Sequence, residues 1–181
     1  MKIRILILLS CSILLNSCRT YLDIGTKDIK TDYMTLKYLE DHNELNYFNK
    51  VNASADDQKF YTTHFSVDLP KQIVYWKQLG NEFYFEYDFK QVIYLYTAYK
   101  NKGKESDNWE EKDISDLNEL KDELEGYWVK ERNYDINYLE KKREGRSSKL
   151  YTNGKYKIVL YNIKEENFQK YHELTKTFRV Q

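Results

Sequence analysis

Between residues 72 and 99 the chain carries three successive runs rich in Tyr, Phe, Ile and Val, and their alternation restricts the fold more than any other feature. Pro70, the only proline, precedes them. The runs cover residues 72–79, 82–88 and 92–99, with Gly80-Asn81 as the first turn. In the second run Phe83, Phe85 and Tyr87 fall on one face, and Glu82, Tyr84, Glu86 and Asp88 on the other, because side chains alternate along a strand. One face is therefore core and the other partly wet. In the third run both sets are apolar, Ile93 and Leu95 against Val92, Tyr94 and Tyr96. That pattern predicts a central strand covered on both sides of an antiparallel meander.

A cover for the second face is predicted over 113–125, where Ile114, Leu117, Leu120 and Leu124 line one stripe. Asp113 or Ser115 is placed to cap its start and Gly126 to end it. Residues 127–136 read as a further strand and 139–149 as a polar loop. A hairpin follows, 150–152 and 156–163, about Asn153-Gly154, a dipeptide suited to tight turns. Residues 164–174 read as a short helix with Phe168 and Tyr171 on one side, and 176–180 as a last strand. Near the start, Leu36 with Leu39 and Leu45 with Phe48 have helical spacing, so 32–51 is expected to be helical. The fold class expected is α+β: a mainly antiparallel sheet of about five to six strands with two to four short helices packed on it.

The N-terminus carries a different signal. Lys2 and Arg4 precede an 11-residue, almost unbroken apolar stretch from Ile5 to Leu15, short of the roughly 20 residues that a membrane-crossing helix needs. This is a signal-peptide pattern. The stretch closes on Leu15-Asn16-Ser17-Cys18, which resembles the lipobox of bacterial lipoproteins, with Asn16 at a position where that family usually has Ala, Ser, Thr or Val. Leu8-Leu9-Ser10-Cys11 also fits the motif but leaves an apolar core of only five residues, below the usual range of about 7–15. The resemblance covers residues 1–18 and implies a diacylglycerol on the Cys18 thiol, cleavage just before it, and, in many bacteria, a third acyl chain such as palmitate. Arg19 after the cysteine, rather than Asp, implies the outer membrane of the cell envelope. The organisation expected is a signal peptide over 1–17, a lipidated N-terminus and tether over 18–30, and a single globular α+β domain over 31–181.

With residues 1–17 removed, 164 residues remain, with 27 basic against 29 acidic side chains. A formal charge of minus two creates no field that favours nucleic acid. Of the two cysteines, Cys11 leaves with the signal and Cys18 is consumed by lipid, so neither a disulfide nor cysteine chemistry is expected in the exported domain. The core must come from apolar packing, and 18 Tyr, 8 Phe and 3 Trp are available for it.

Catalytic and cofactor patterns are missing from the sequence. The glycines, at 25, 80, 103, 126, 145 and 154, are too dispersed for a phosphate-cradling loop. Gly145-Arg146-Ser147-Ser148-Lys149 lacks the second glycine of a nucleophile elbow. His172-Glu173 begins like a zincin helix, but Lys176 stands where the second imidazole belongs. His42, His64 and His172 are far apart, and Asp107-Asn108-Trp109-Glu110-Glu111 lacks the order of a calcium loop. No cofactor and no metal are expected. Charge is uneven: 104–125 sums to minus seven and 139–149 to plus three. An aromatic face of Tyr84, Tyr94 and Tyr96 is the candidate ligand platform, with burial beneath the 113–125 helix as the competing expectation.

The reading that follows is a non-enzymatic envelope lipoprotein, attached to a membrane through Cys18, that binds a protein partner or a small ligand. Two others stay open. One is an immunity-type or inhibitor lipoprotein that uses its acidic stretch against a toxin or lytic enzyme. The other is an envelope hydrolase that assembles Glu, Asp and His in space.

Overall fold

Alternating apolar residues select strands along most of this chain, and they assemble into two sheets rather than one. A computed structural model describes residues 20–52, 60–98, 108–114 and 116–181; Cys11 and Cys18 lie outside them. The strands in chain order are β1 (Ile29–Lys30), β2 (Met34–Tyr38), β3 (Asn43–Asn52), β4 (Phe60–Leu69), β5 (Tyr75–Leu79), β6 (Glu82–Tyr87), β7 (Gln91–Thr97), β8 (Glu110–Asp113), β9 (Arg146–Thr152), β10 (Tyr156–Lys164) and β11 (Arg179–Val180). The first sheet has the order β1-β2-β3-β4-β11 and the second β5-β6-β7-β10-β9-β8. Every pairing is antiparallel. The class is broadly α+β and mostly β.

The sheets face each other across one core. Met34, Leu36, Leu45, Tyr47, Phe65 and Val67 of the first meet Phe83, Phe85, Ile93, Leu95, Ile158 and Leu160 of the second. The other face of the second sheet carries Tyr84, Val92, Tyr94, Val159 and Tyr161 beneath Leu120, Leu124, Tyr127 and Trp128. β7 is thus central and covered on both sides, as its two apolar faces predicted.

The helix expected over 32–51 is instead β2 and β3. Met34 and Leu36, and Leu45 and Tyr47, are buried at a spacing of two, whereas Leu39 and Phe48, which suggested the helical period, are 38% and 36% exposed. Each spacing-of-three pair splits between faces. The choice was made by the second sheet, which supplies an apolar surface for a period-two face.

The covering layer begins with a 3-10 turn, Leu117–Leu120, capped by the Asp116 carboxylate on the Asn118 N–H at 2.9 Å. It continues as α1 (Lys121–Glu125). Gly126 does not end it: the chain widens into a π-helical segment, Gly126–Glu131, where a strand was expected. Tyr127 and Trp128 are consecutive and both fully buried. In a strand they would point to opposite sides; on a helix, neighbours share a broad stripe, and only one layer needs to receive them. The other helix, α2 (Glu165–Thr175), matches the helix expected over 164–174. It lays Phe168 and Tyr171 against the core at the sandwich margin.

The tether expected over 18–30 is, from Thr20 on, part of the fold. Leu22 donates its N–H to the Ile73 carbonyl at 2.8 Å. The buried Asp23 carboxylate accepts the N–H groups of Gln72 and Ile73, both at 2.9 Å, and the Asn43 amide at 2.7 Å. Those donors satisfy a carboxylate that burial would otherwise penalise.

Candidate functional site

The tyrosine platform is not a surface. Tyr84 and Tyr94 are 2% and 1% exposed. Their rings lie 5.1 Å apart, and Tyr84 stacks on Tyr127 at 4.5 Å under the helical layer. Both hydroxyls donate to Glu82, at 3.0 and 3.1 Å. Burial first, and then the Glu82 charge, push both phenols well above the ordinary tyrosine range. Tyr96 is partly exposed at the same face, beside Lys157. Only one of the three rings is accessible, so Tyr84 and Tyr94 follow the competing expectation of burial and the three offer no shared platform to a ligand.

A cavity of about 250 Å³ opens elsewhere, between α2 and the margin of the second sheet, and is lined by Trp109, Glu111, Tyr151, Ile158, His172, Thr175, Lys176 and Phe178. Three local features build it. β8 pairs with β9 in a register that sets Glu111 opposite Tyr151, and Trp109 stands just before that strand. α2 carries His172 one turn before its end, where Lys176 donates its N–H back to the His172 carbonyl at 3.0 Å. The chain then turns, with the Phe178 N–H donating to the Thr175 carbonyl at 3.1 Å. That turn presses Phe178 between Phe65 at 5.1 Å and Trp109 at 5.4 Å.

Its walls are aromatic, but two polar atoms are left over. The Tyr151 ring stacks on His172 at 5.1 Å and 18°. The Tyr151 hydroxyl and His172 Nε2 are both buried and have no hydrogen-bond partner among the described residues. Each such orphan costs about 1–3 kcal/mol relative to a satisfied one. Native proteins keep few of them, and a site that accepts a ligand is one reason to do so. Burial, reinforced by Lys176, lowers the His172 pKa below its ordinary value, so the ring is neutral at pH 7 and can donate or accept. Burial raises the Tyr151 pKa, with Glu111 and Asp113 adding to it, so the phenol keeps its proton.

The remaining sequence candidates are dispersed. His42 contacts Asp41 at 2.7 Å and Asp68 at 3.8 Å. No group of three His, Cys, Asp or Glu able to hold a metal occurs among the described residues. The acidic stretch is paired in part: Glu111 and Asp113 with Lys149, Glu119 with Lys112, and Glu123 with Lys157. No family model, curated protein or solved structure matches this chain.

The depressed His172 pKa has a pH consequence. An unfolded imidazole binds its proton near 6.5 and the folded one only lower. Stability from this site is therefore complete above the unfolded value and is lost as pH falls through the folded one. Thermal unfolding is expected to move down between neutral pH and about pH 5, and less so in His172→Gln. Carboxylates elsewhere titrate in both proteins, so equal pH slopes for the two would assign the effect to them instead.

Proposed function

We propose that this chain is a membrane-anchored envelope lipoprotein, held through acyl chains on Cys18, whose domain binds a small and mostly apolar ligand without transforming it. The anchor rests on the signal sequence and its lipobox-like end. No helix among the described residues is long and apolar enough to cross a membrane. The outer membrane is the preferred location on the strength of Arg19.

The binding role is carried by one observation: an aromatic cavity of about 250 Å³ whose lining residues Tyr151 and His172 each keep a buried polar atom, the hydroxyl and Nε2, without a partner among the described residues. That volume is below the range of about 300–1,000 Å³ typical of drug-sized ligands and above the roughly 150 Å³ that holds benzene. A single ring with one hydrogen-bonding group fits the description. The hydroxyl and the neutral imidazole would fix its polar end, and Trp109 and Phe178 its apolar body.

Phenol and indole, with benzene as the comparison, provide the test, followed by calorimetry and by Trp109 fluorescence. Phenol or indole is expected to bind more tightly than benzene, and Tyr151→Phe to weaken that binding about fivefold, the worth of one hydrogen bond of roughly 1 kcal/mol. Equal affinities for all three compounds, or an indifferent Tyr151→Phe, would remove the reading.

Hydrolysis is the second reading, because Glu111 and His172 line the same cavity. Glu111 is held by Lys149, and no hydrogen bond joins it to His172 among the described residues. If the cavity only binds, Glu111→Gln leaves phenol affinity unchanged and no ester or glycoside is turned over. An inhibitor role through the acidic stretch draws less support, since Lys149 and Lys157 pair with Glu111, Asp113 and Glu123.

A further inference from the structure

The turn between β6 and β7 departs from local preference. Phe89 and Lys90 both sit in the left-handed region, at φ 61° and 59°, where glycine or asparagine is the usual occupant. Phe89 is also the most exposed large apolar side chain among the described residues, at 53%. The turn is firmly held. Asn162, in the irregular part of β10, donates its amide to the carbonyls of Phe89 at 3.1 Å and Lys90 at 3.0 Å, and the Gln91 amide donates to the Asp88 carbonyl at 2.9 Å. The fold thus maintains a strained turn that presents a benzyl ring to solvent.

Two cations stand over that ring, and others lie close by in the fold. Lys164 lies 4.2 Å and Arg146 6.0 Å from the Phe89 centroid. Arg143 and Lys90 sit 3.4 and 4.4 Å from the ring of Tyr138. Lys141 and Lys142 join Arg143 and Arg146 in lining an adjoining cleft of about 300 Å³, with Asn162 on its wall. Among the acids nearby, Asp113 lines the same cleft and pairs with Lys149 at 3.4 Å, Glu166 pairs with Lys164 at 3.0 Å, Asp88 accepts the Tyr21 hydroxyl at 2.8 Å, and Glu144 and Glu165 follow in the chain. The balance is positive.

The Tyr21 hydrogen bond places this patch relative to the anchor. Tyr21 is bonded to Asp88, the neighbour of Phe89, and only Arg19 and Thr20 separate it from Cys18 in the chain, a span of about 11 Å at most. We infer that the Phe89 turn and its ring of lysines and arginines form the membrane-facing surface of the domain, seated on an anionic phospholipid bilayer beside the acylated N-terminus. The inference deepens the lipid-anchor reading and rests on it. An aromatic ring at headgroup depth with basic side chains around it is the chemistry such a surface attracts. A free anion would use the cations but not the exposed ring.

Because Cys18 is blocked by lipid in the mature protein, an introduced cysteine can be labelled alone. The lipidated chain is prepared as Phe89→Cys, as Lys142→Cys and, at the opposite end of β6, as Asn81→Cys, each with an environment-sensitive fluorophore. Each is reconstituted into vesicles of phosphatidylcholine, alone or with phosphatidylglycerol, with doxyl lipid as quencher. The labels at 89 and 142 are expected to shift to the blue and be quenched in the anionic vesicles, while the label at 81 does neither. Arg143→Glu with Arg146→Glu is expected to abolish the shift, and added salt to reduce it. Labels at 89 and 142 that stay as exposed as the one at 81, or respond equally in neutral vesicles, would overturn the surface with the anchor intact. A chain that takes up no labelled palmitate and leaves the vesicles would overturn the anchor, and the surface with it. The two labelled positions are independent, so the test survives if Phe89→Cys alone does not fold.

Discussion

Phe83→Ala is expected to lower the free energy of unfolding by roughly 3–5 kcal/mol. Phe83 is fully buried between the sheets, and its ring meets Tyr47 edge-on at 4.8 Å and Phe65 at 5.7 Å. Truncation removes the transfer free energy of a whole ring and leaves a void that neither sheet can close without shifting its strands. The two sheets are joined mainly by side-chain packing, so a lost central ring weakens their association directly. Urea unfolding with an unchanged slope would read the loss as stability. A cost under about 1 kcal/mol, the scale of a surface change, would mean that the sheets do not pack through this residue.

Arg132→Ala is expected to cost about 3 kcal/mol, at the lower end of the range for breaking a buried ion pair. Glu86 lies on the face of β6 beneath the helical layer, and its side chain is 3% exposed. Its carboxylate accepts from Arg132 Nε at 2.7 Å and from the hydroxyls of Tyr127 and Tyr134, both at 2.8 Å. The guanidinium also lies 4.2 Å from the Tyr75 ring. Removing Arg132 strands a buried carboxylate with two neutral donors. The arginine side chain is 25% exposed, so water can enter the gap and moderate the loss. Glu86→Gln combined with Arg132→Met removes both charges together and is expected to cost less than Arg132→Ala alone. If the double variant is the less stable of the two, attraction between the charges outweighs the penalty of a stranded carboxylate.

Glu86 also shows why polar residues on a two-faced strand were hard to place from sequence. Alternation assigned Glu82, Tyr84 and Glu86 to a partly wet face, and the face assignment is right. Its burial came from Tyr127, Arg132 and Tyr134, some 40 residues on. The same distance hid the cavity. Trp109 stood in an acidic stretch, Tyr151 in a hairpin and His172 at a failed zincin motif, and no local pattern joins them. An unpartnered polar atom is a property of three dimensions.

The three aromatic runs that restrict this chain most were decided locally. Period-two alternation set the faces of β6 and β7, Gly80-Asn81 set their neighbouring turn, and Phe168 with Tyr171 set the buried side of α2, because each signal is complete within a few residues. Where two periods competed, the sequence was silent: at 32–51 a second sheet selected strands, and at 126–131 a single layer of core selected a helix through Gly126. Tertiary contact decided those because burial of a whole face outweighs the few tenths of a kcal/mol by which local propensities differ.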